Sequence, residues 1–126
     1  MKTVINTPQA PAPIGPYNQA IKAGNHLYVS GQIALSPATG QLVQGSVADE
    51  AHQVLQNLQA VLSAAGYTFS DVVKTTIFLR DMEDFTAVNA VYAEYVAENA
   101  PARETVAVAG LPKNVRVEIS LIAWKA

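Results

Sequence analysis

The last quarter of the chain, Pro101 to Ala123, constrains the fold most. From Val115 onward the residues alternate without a break. Val115, Val117, Ile119, Leu121 and Ala123 fall on one side, and Arg116, Glu118, Ser120 and Ile122 on the other. That period of two is the pattern of a β-strand with one covered face. Arg103 to Val108 also reads as a strand, and the breakers Gly110-Leu111-Pro112-Lys113-Asn114 lie between the two runs. The spacing therefore predicts a β-hairpin with a five-residue loop.

In such a hairpin the register decides which side chains meet, because a one-residue slip exchanges the two faces. Setting Val106 and Val108 on the Val117/Ile119 face gathers Arg103, Thr105 and Glu118 on the more polar face. The slipped register would put Arg103 and Thr105 among apolar partners, so the first is expected. A guanidinium and a carboxylate placed this way admit two readings. One is a plain cross-strand ion pair, worth about 0–1 kcal/mol when exposed. The other is a site, in which Arg103 grips a substrate carboxylate with two prongs and Glu118 positions a water or moves a proton.

The rest of the chain limits the chemistry. With 126 residues, half of them hydrophobic and 14% charged, it fits one globular domain over residues 1–126. Net charge is −2 and the eight Lys and Arg are scattered, so no nucleic-acid partner is expected. The absence of cysteine excludes disulfides and thiolate chemistry. His26 and His52 fall in different elements with no ligand-spaced partners, so no familiar metal centre is expected. Neither a phosphate loop, a dinucleotide fingerprint nor a Ser-His-acid arrangement is present. An enzyme built from these residues would work by hydrogen bonds and charge placement on a substrate that is already reactive. The first residues lack the apolar core of a signal peptide and no run suits a membrane, so a soluble, cytoplasmic protein is expected.

Taken in order, Pro8, Pro11, Pro13 and Pro16 favour an extended arm, and the Gly15-Pro16 turn aims Tyr17 in a fixed direction. Asn18–Ala23 and His26–Ser30 are strands joined by the turn dipeptide Gly24-Asn25. Ser30-Gly31-Gln32 marks either a bulge or backbone N–H groups offered to a ligand. Gln41-Leu42-Val43 suits a short edge strand. Ser46 with Asp49 caps a structural helix that ends at Gly66. Asp71–Arg80 is the longest strand, with Val73, Thr75, Ile77 and Leu79 turned toward the helices. Its other face, Val72, Lys74, Thr76, Phe78 and Arg80, mixes apolar and charged groups as a subunit interface does. A second helix runs from Asp84 to about Glu98, with Asn89 at the edge of its apolar stripe, either solvated or aimed into a cleft. This order predicts an α+β fold, a mixed or antiparallel sheet with two helices on one face. The open face, carrying Arg103, Thr105 and Glu118, is then available for self-association.

Five stretches resemble the reactive intermediate deaminase A (RidA, YjgF) family: Ile14-Gly15-Pro16-Tyr17-Asn18-Gln19-Ala20, Val29-Ser30-Gly31-Gln32-Ile33, Val88-Asn89-x-Val91-Tyr92, Pro101-Ala102-Arg103 and Val117-Glu118-Ile119. The likeness runs nearly end to end. It implies a chorismate-mutase-like α+β fold and a homotrimer with sites in the clefts between subunits. It also implies cofactor-free hydrolysis of small 2-imino and 2-enamino acids, such as 2-aminoacrylate and 2-iminobutanoate released by pyridoxal-phosphate enzymes, to 2-oxo acids and ammonia. Arg103 matches the family's carboxylate-binding arginine and Glu118 the acid that orients water. Tyr17, Ser30, Gly31 and Asn89 match pocket residues, Gly31 through its backbone. Where many members carry a cysteine this chain has Thr105, which removes a thiol route and leaves a hydrogen-bonding pocket residue. Glu104, on the opposite strand face from Arg103, is expected to be structural. A non-enzymatic trimer that binds small carboxylates in a regulatory or chaperone-like role is the alternative.

Overall fold

The computed structural model describes all 126 residues. Six strands form one sheet: β1 (Lys2–Ile5), β2 (Ala20–Ala23), β3 (His26–Gln32), β4 (Val72–Leu79), β5 (Ala102–Ala107) and β6 (Val117–Trp124). Two helices, α1 (Val47–Ala64) and α2 (Phe85–Val96), follow β3 and β4 respectively. The spatial order is β1-β2-β3-β6-β4-β5, antiparallel throughout except for the parallel pair β4–β5. The helices pack on one another and α1 lies over β3 and β6, so both cover the same side. The expected α+β layer is what forms.

Local chemistry sets the boundaries. The Ser46 hydroxyl accepts from the Asp49 backbone N–H and the Asp49 carboxylate accepts from Ser46 N–H, a reciprocal cap on α1. Gly24, at φ +60, supplies the left-handed turn between β2 and β3. Leu55, Leu58, Val61 and Leu62 of α1 interlock with Leu27, Val29, Ile77, Leu79, Ile119 and Leu121 of the sheet, all nearly inaccessible.

The terminal hairpin does not form. β4 lies between β5 and β6, in parallel register with one and antiparallel with the other. Parallel neighbours need a long crossover, and the residues between Leu79 and Ala102, which include α2, provide it. The breakers after Gly110 do reverse the chain, but it returns on the far side of β4. This arrangement gives β4 and β6, whose alternate residues are buried, two partners each. It leaves the more exposed β5 at the edge.

Three smaller expectations change. A register shift between Val72 and Lys74 makes Val72 buried and Val73 exposed, so Val73 leaves the helix side. Gln41–Val43 makes only the single bridge Leu35–Leu42. The segment Lys2–Ile5, expected to be part of an extended arm, pairs with β2 as an edge strand.

Candidate functional site

The β4 register settles where the site residues point. Thr75 lies opposite Leu121 on one side and Arg103 on the other, and Ile77 lies opposite Ile119 and Thr105. Phe78 lies opposite Glu118 and Val106. Side chains opposite one another share a face and successive ones alternate. Arg103 and Thr105 therefore point to the helix side, among apolar neighbours, and Glu118 points to the open face. The expectation that Arg103, Thr105 and Glu118 share a face of one ribbon is thus overturned. Inserting β6 on the other side of β4 exchanged the faces, and no cross-strand Arg103–Glu118 ion pair exists within one chain.

On the helix side, α2 builds the surroundings of Arg103. Phe85, Asn89 and Tyr92 stand at i, i+4 and i+7, one stripe of the helix. Arg103 Nη1 donates to Asn89 Oδ1 at 2.8 Å. Its Cζ lies 5.0 Å from the Tyr92 ring centroid and 5.7 Å from that of Phe85. No acid pairs with this half-buried guanidinium, and only one of its N–H groups has a protein partner. Asn89 is exposed and accepts from the arginine, so its side chain is neither free in solvent nor within a cavity of this chain. The Thr105 hydroxyl, two residues along the same face, is buried without any partner.

On the open side, Glu118 borders a cavity of about 70 Å³ shared with Tyr17, Gly31, Ile14, Pro11 and Pro112. The carboxyl group makes no hydrogen bond to protein, and burial raises its pKa above the ordinary glutamate value. Gly31 sits where the β3–β6 register shifts between Val29 and Gln32. A Cβ there would stand 2.8 Å from Glu118 Cδ, so the absence of a side chain is what admits the carboxyl group. Ser30 is committed elsewhere: its hydroxyl donates to Asn18 O at 2.6 Å and its N–H to Gln19 O. It fastens the bulge and presents no free hydroxyl.

The residue that shapes this side without having been singled out in the sequence is Gln19, 1% exposed. Its Oε1 accepts from Thr7 N–H, and its Nε2 donates to the carbonyls of Thr7, Ala10 and Pro11. One side-chain amide thereby ties down the proline arm that carries Ile14 and Tyr17 to the cavity. A second omission is the Glu50–Arg116 ion pair, in which Glu50 also accepts from Arg116 N–H. Glu104, as expected, stays on the opposite face from Arg103. It pairs with Lys74 at 3.0 Å and accepts from Thr76, which holds its pKa below the ordinary carboxylate range.

Fold and clusters together define a two-layer α+β domain with an unpaired, helix-backed arginine on one face of its sheet and a pocketed carboxyl group on the other. Residues 7–125 match the family model described as Endoribonuclease L-PSP, and the chain belongs to this family, the YjgF/RutC/RidA family. It is 55% identical over 125 residues to a RutC family protein of Pyrococcus horikoshii, covering 99% of both chains. It is 49% identical over 123 residues to the 2-iminobutanoate/2-iminopropanoate deaminase of Homo sapiens, covering 98% of this chain and 90% of that one. The structure of the YjgF gene product from E. coli superposes with a TM-score of 0.93 at 45% identity, covering 98% of this chain and 99% of that one. No helix is long and apolar enough to cross a membrane.

Proposed function

We propose that the protein hydrolyses small 2-imino acids and their enamine tautomers, such as 2-iminobutanoate and 2-aminoacrylate, to 2-oxo acids and ammonia. The reaction would take place in sites formed between copies of a homotrimer. The observation that carries this reading is the Arg103 guanidinium, half-buried, held by neutral groups and free of any acid partner. Such a cation suits a substrate carboxylate, which it binds by charge-assisted hydrogen bonds worth about 1.5–3 kcal/mol. Relatives near 50% identity that bear the imine deaminase name support the same class.

Each chain holds Arg103 and Glu118 on opposite faces, so one substrate meets both only where two copies join. The open face offers the means: Tyr28, Phe78, Val106 and Ile122 leave it partly apolar and uncovered. In the joined site Arg103 anchors the carboxylate, with Asn89 steadying the guanidinium and Thr105 offering a hydroxyl. Tyr17 and the Gly31 backbone line the opposite wall, and Ser30 holds that wall in shape.

The enamine tautomerises to an imine, whose carbon becomes electrophilic once its nitrogen is protonated. Glu118 orients a water and takes up its proton as oxygen bonds to carbon, giving a carbinolamine. The proton returns to nitrogen, Glu118 takes the carbinolamine hydroxyl proton as the C–N bond breaks, and ammonia leaves behind the 2-oxo acid. A carboxyl group whose pKa is raised by burial suits this two-way traffic. Orientation supplies most of the gain, since the uncatalysed hydrolysis is already fast.

The test is to generate 2-aminoacrylate with a dehydratase and follow imine loss by absorbance. The wild type should accelerate it and Arg103→Ala should not. Equal rates for the two would defeat the assignment. The ribonuclease name of the family model finds no support in the charge, which is −2 with no basic run to displace counterions from a polynucleotide.

A further inference from the structure

Arg103 lies on the edge strand of the sheet, where a long side chain has many rotamers to lose and no acid to hold it. A carboxylate partner would fix it but would also occupy the N–H groups a substrate needs. An aromatic face attracts the cation through its quadrupole and occupies none of them. Tyr92 supplies that face, 5.0 Å from the guanidinium carbon.

Tyr92 is itself immobilised. It is 5% exposed, and its hydroxyl is 2.7 Å from Oγ1 of Thr75, which is 1% exposed. Thr75 is the register partner of Arg103 on the neighbouring strand. A strand, a helix and the edge strand thus contribute one residue each to a triangle that converges on the guanidinium. Tyr92 falls on the buried side of its helix, which does not by itself account for this contact.

We propose that Tyr92, seated by Thr75, is a positioning residue: it holds the Arg103 guanidinium over its ring so that the unused N–H groups stay available to a substrate carboxylate. This rests on the functional reading above for the identity of the ligand, and on geometry alone for the platform.

The experiment measures binding of 2-oxobutanoate, the product-like anion, by calorimetry, alongside KM and kcat for imine hydrolysis. Tyr92→Leu should weaken 2-oxobutanoate binding and raise KM about tenfold, the scale of a partly desolvated cation–π contact, with kcat little changed. Tyr92→Phe keeps the ring and should stay within about threefold of wild type on the same scale. Thr75→Val breaks the same hydrogen bond as Tyr92→Phe and should match it in KM and affinity, a pair that tests the seating if Tyr92→Leu does not fold. A purely structural role would lower melting temperature and active fraction while leaving KM and affinity of the folded protein unchanged. That result would overturn the inference, as would unaltered affinity in Tyr92→Leu when Arg103→Ala has lost binding. Absence of both binding and hydrolysis in the wild type would instead remove the functional reading, and the inference with it.

Discussion

Gly31 and Glu118 touch so closely across β3 and β6 that a single methyl group cannot be placed between them: a Cβ on Gly31 would come within 2.8 Å of Glu118 Cδ. The displaced atom would be the carboxyl group itself, which borders the cavity. Gly31→Ala should therefore lower kcat by about 100-fold, the usual consequence of moving a reacting group by about 1 Å. Melting temperature should shift only modestly, because the carboxyl group can swing toward the cavity. Steady-state imine hydrolysis with a parallel melting curve checks both.

Burial raises the pKa of Glu118, and the sign of its pH effect follows. The folded state binds this proton more tightly than the unfolded chain does. The stabilisation is complete below the unfolded glutamate value of about 4.3 and is lost as pH rises through the higher folded value. Glu118→Gln should then melt above wild type at neutral pH, and the difference should close below about pH 4. The same variant should bind 2-oxobutanoate yet fail to hydrolyse imines. Wild-type hydrolysis by this variant would remove Glu118 from the reaction, whereas 2-oxobutanoate binding without any hydrolysis in the wild type would favour the non-enzymatic, carboxylate-binding alternative.

If the reaction needs Arg103 from one copy and Glu118 from another, two inactive variants should complement. Arg103→Ala and Glu118→Gln, unfolded together and refolded as an equimolar mixture, should recover about a quarter of wild-type activity, since each interface of a ring has a one-in-four chance of joining the two intact residues. Separate refolding followed by no exchange should give none. Failure to complement in verified mixed oligomers would sink the shared-site arrangement.

Gln19→Ala removes one acceptor and three donated bonds from a residue with almost no exposure. The loss should be about 2–3 kcal/mol by urea denaturation, since each net bond contributes about 0.5–1.5 kcal/mol and they are not additive. Proteolysis should begin in the arm between Asn6 and Tyr17, and kcat should fall as Tyr17 loses its place. Protection equal to wild type would show that the arm is fastened by something else.

Glu50→Gln tests which arginine matters for the substrate. Glu50 is 6% exposed and pairs with Arg116, so leaving that cation uncompensated should cost about 2–3 kcal/mol, below the usual range for a fully buried pair because Arg116 is partly solvated. KM should not move, because Arg116 is already committed to Glu50 and the Gly45 carbonyl. A raised KM would reassign the carboxylate anchor.

Most elements could be read directly. Ser46 with Asp49 and Gly24-Asn25 act through backbone geometry a few residues away, so their meaning is contained in the local sequence. Tyr17, Gly31 and Glu118 do border one cavity, but local sequence signals alone, a turn, a bulge and a strand, left their role open and only the family resemblance grouped them. Gln19 and Tyr92 could not be read in this way, since what they do depends on groups that other elements bring to them.

Alternation in the chain determined that residues 115–123 form a strand and which of them share a side, because a period of two is a property of one strand by itself. It could not determine which strand lies alongside. Only the tertiary structure decided that β4 enters between β5 and β6, and so sent Arg103 toward the helices and Glu118 toward the open face. The physical reason is that pairing is chosen by the burial and hydrogen bonding of the whole sheet. β4, with its buried Thr75, Ile77 and Leu79, is more stable between two neighbours than at an edge.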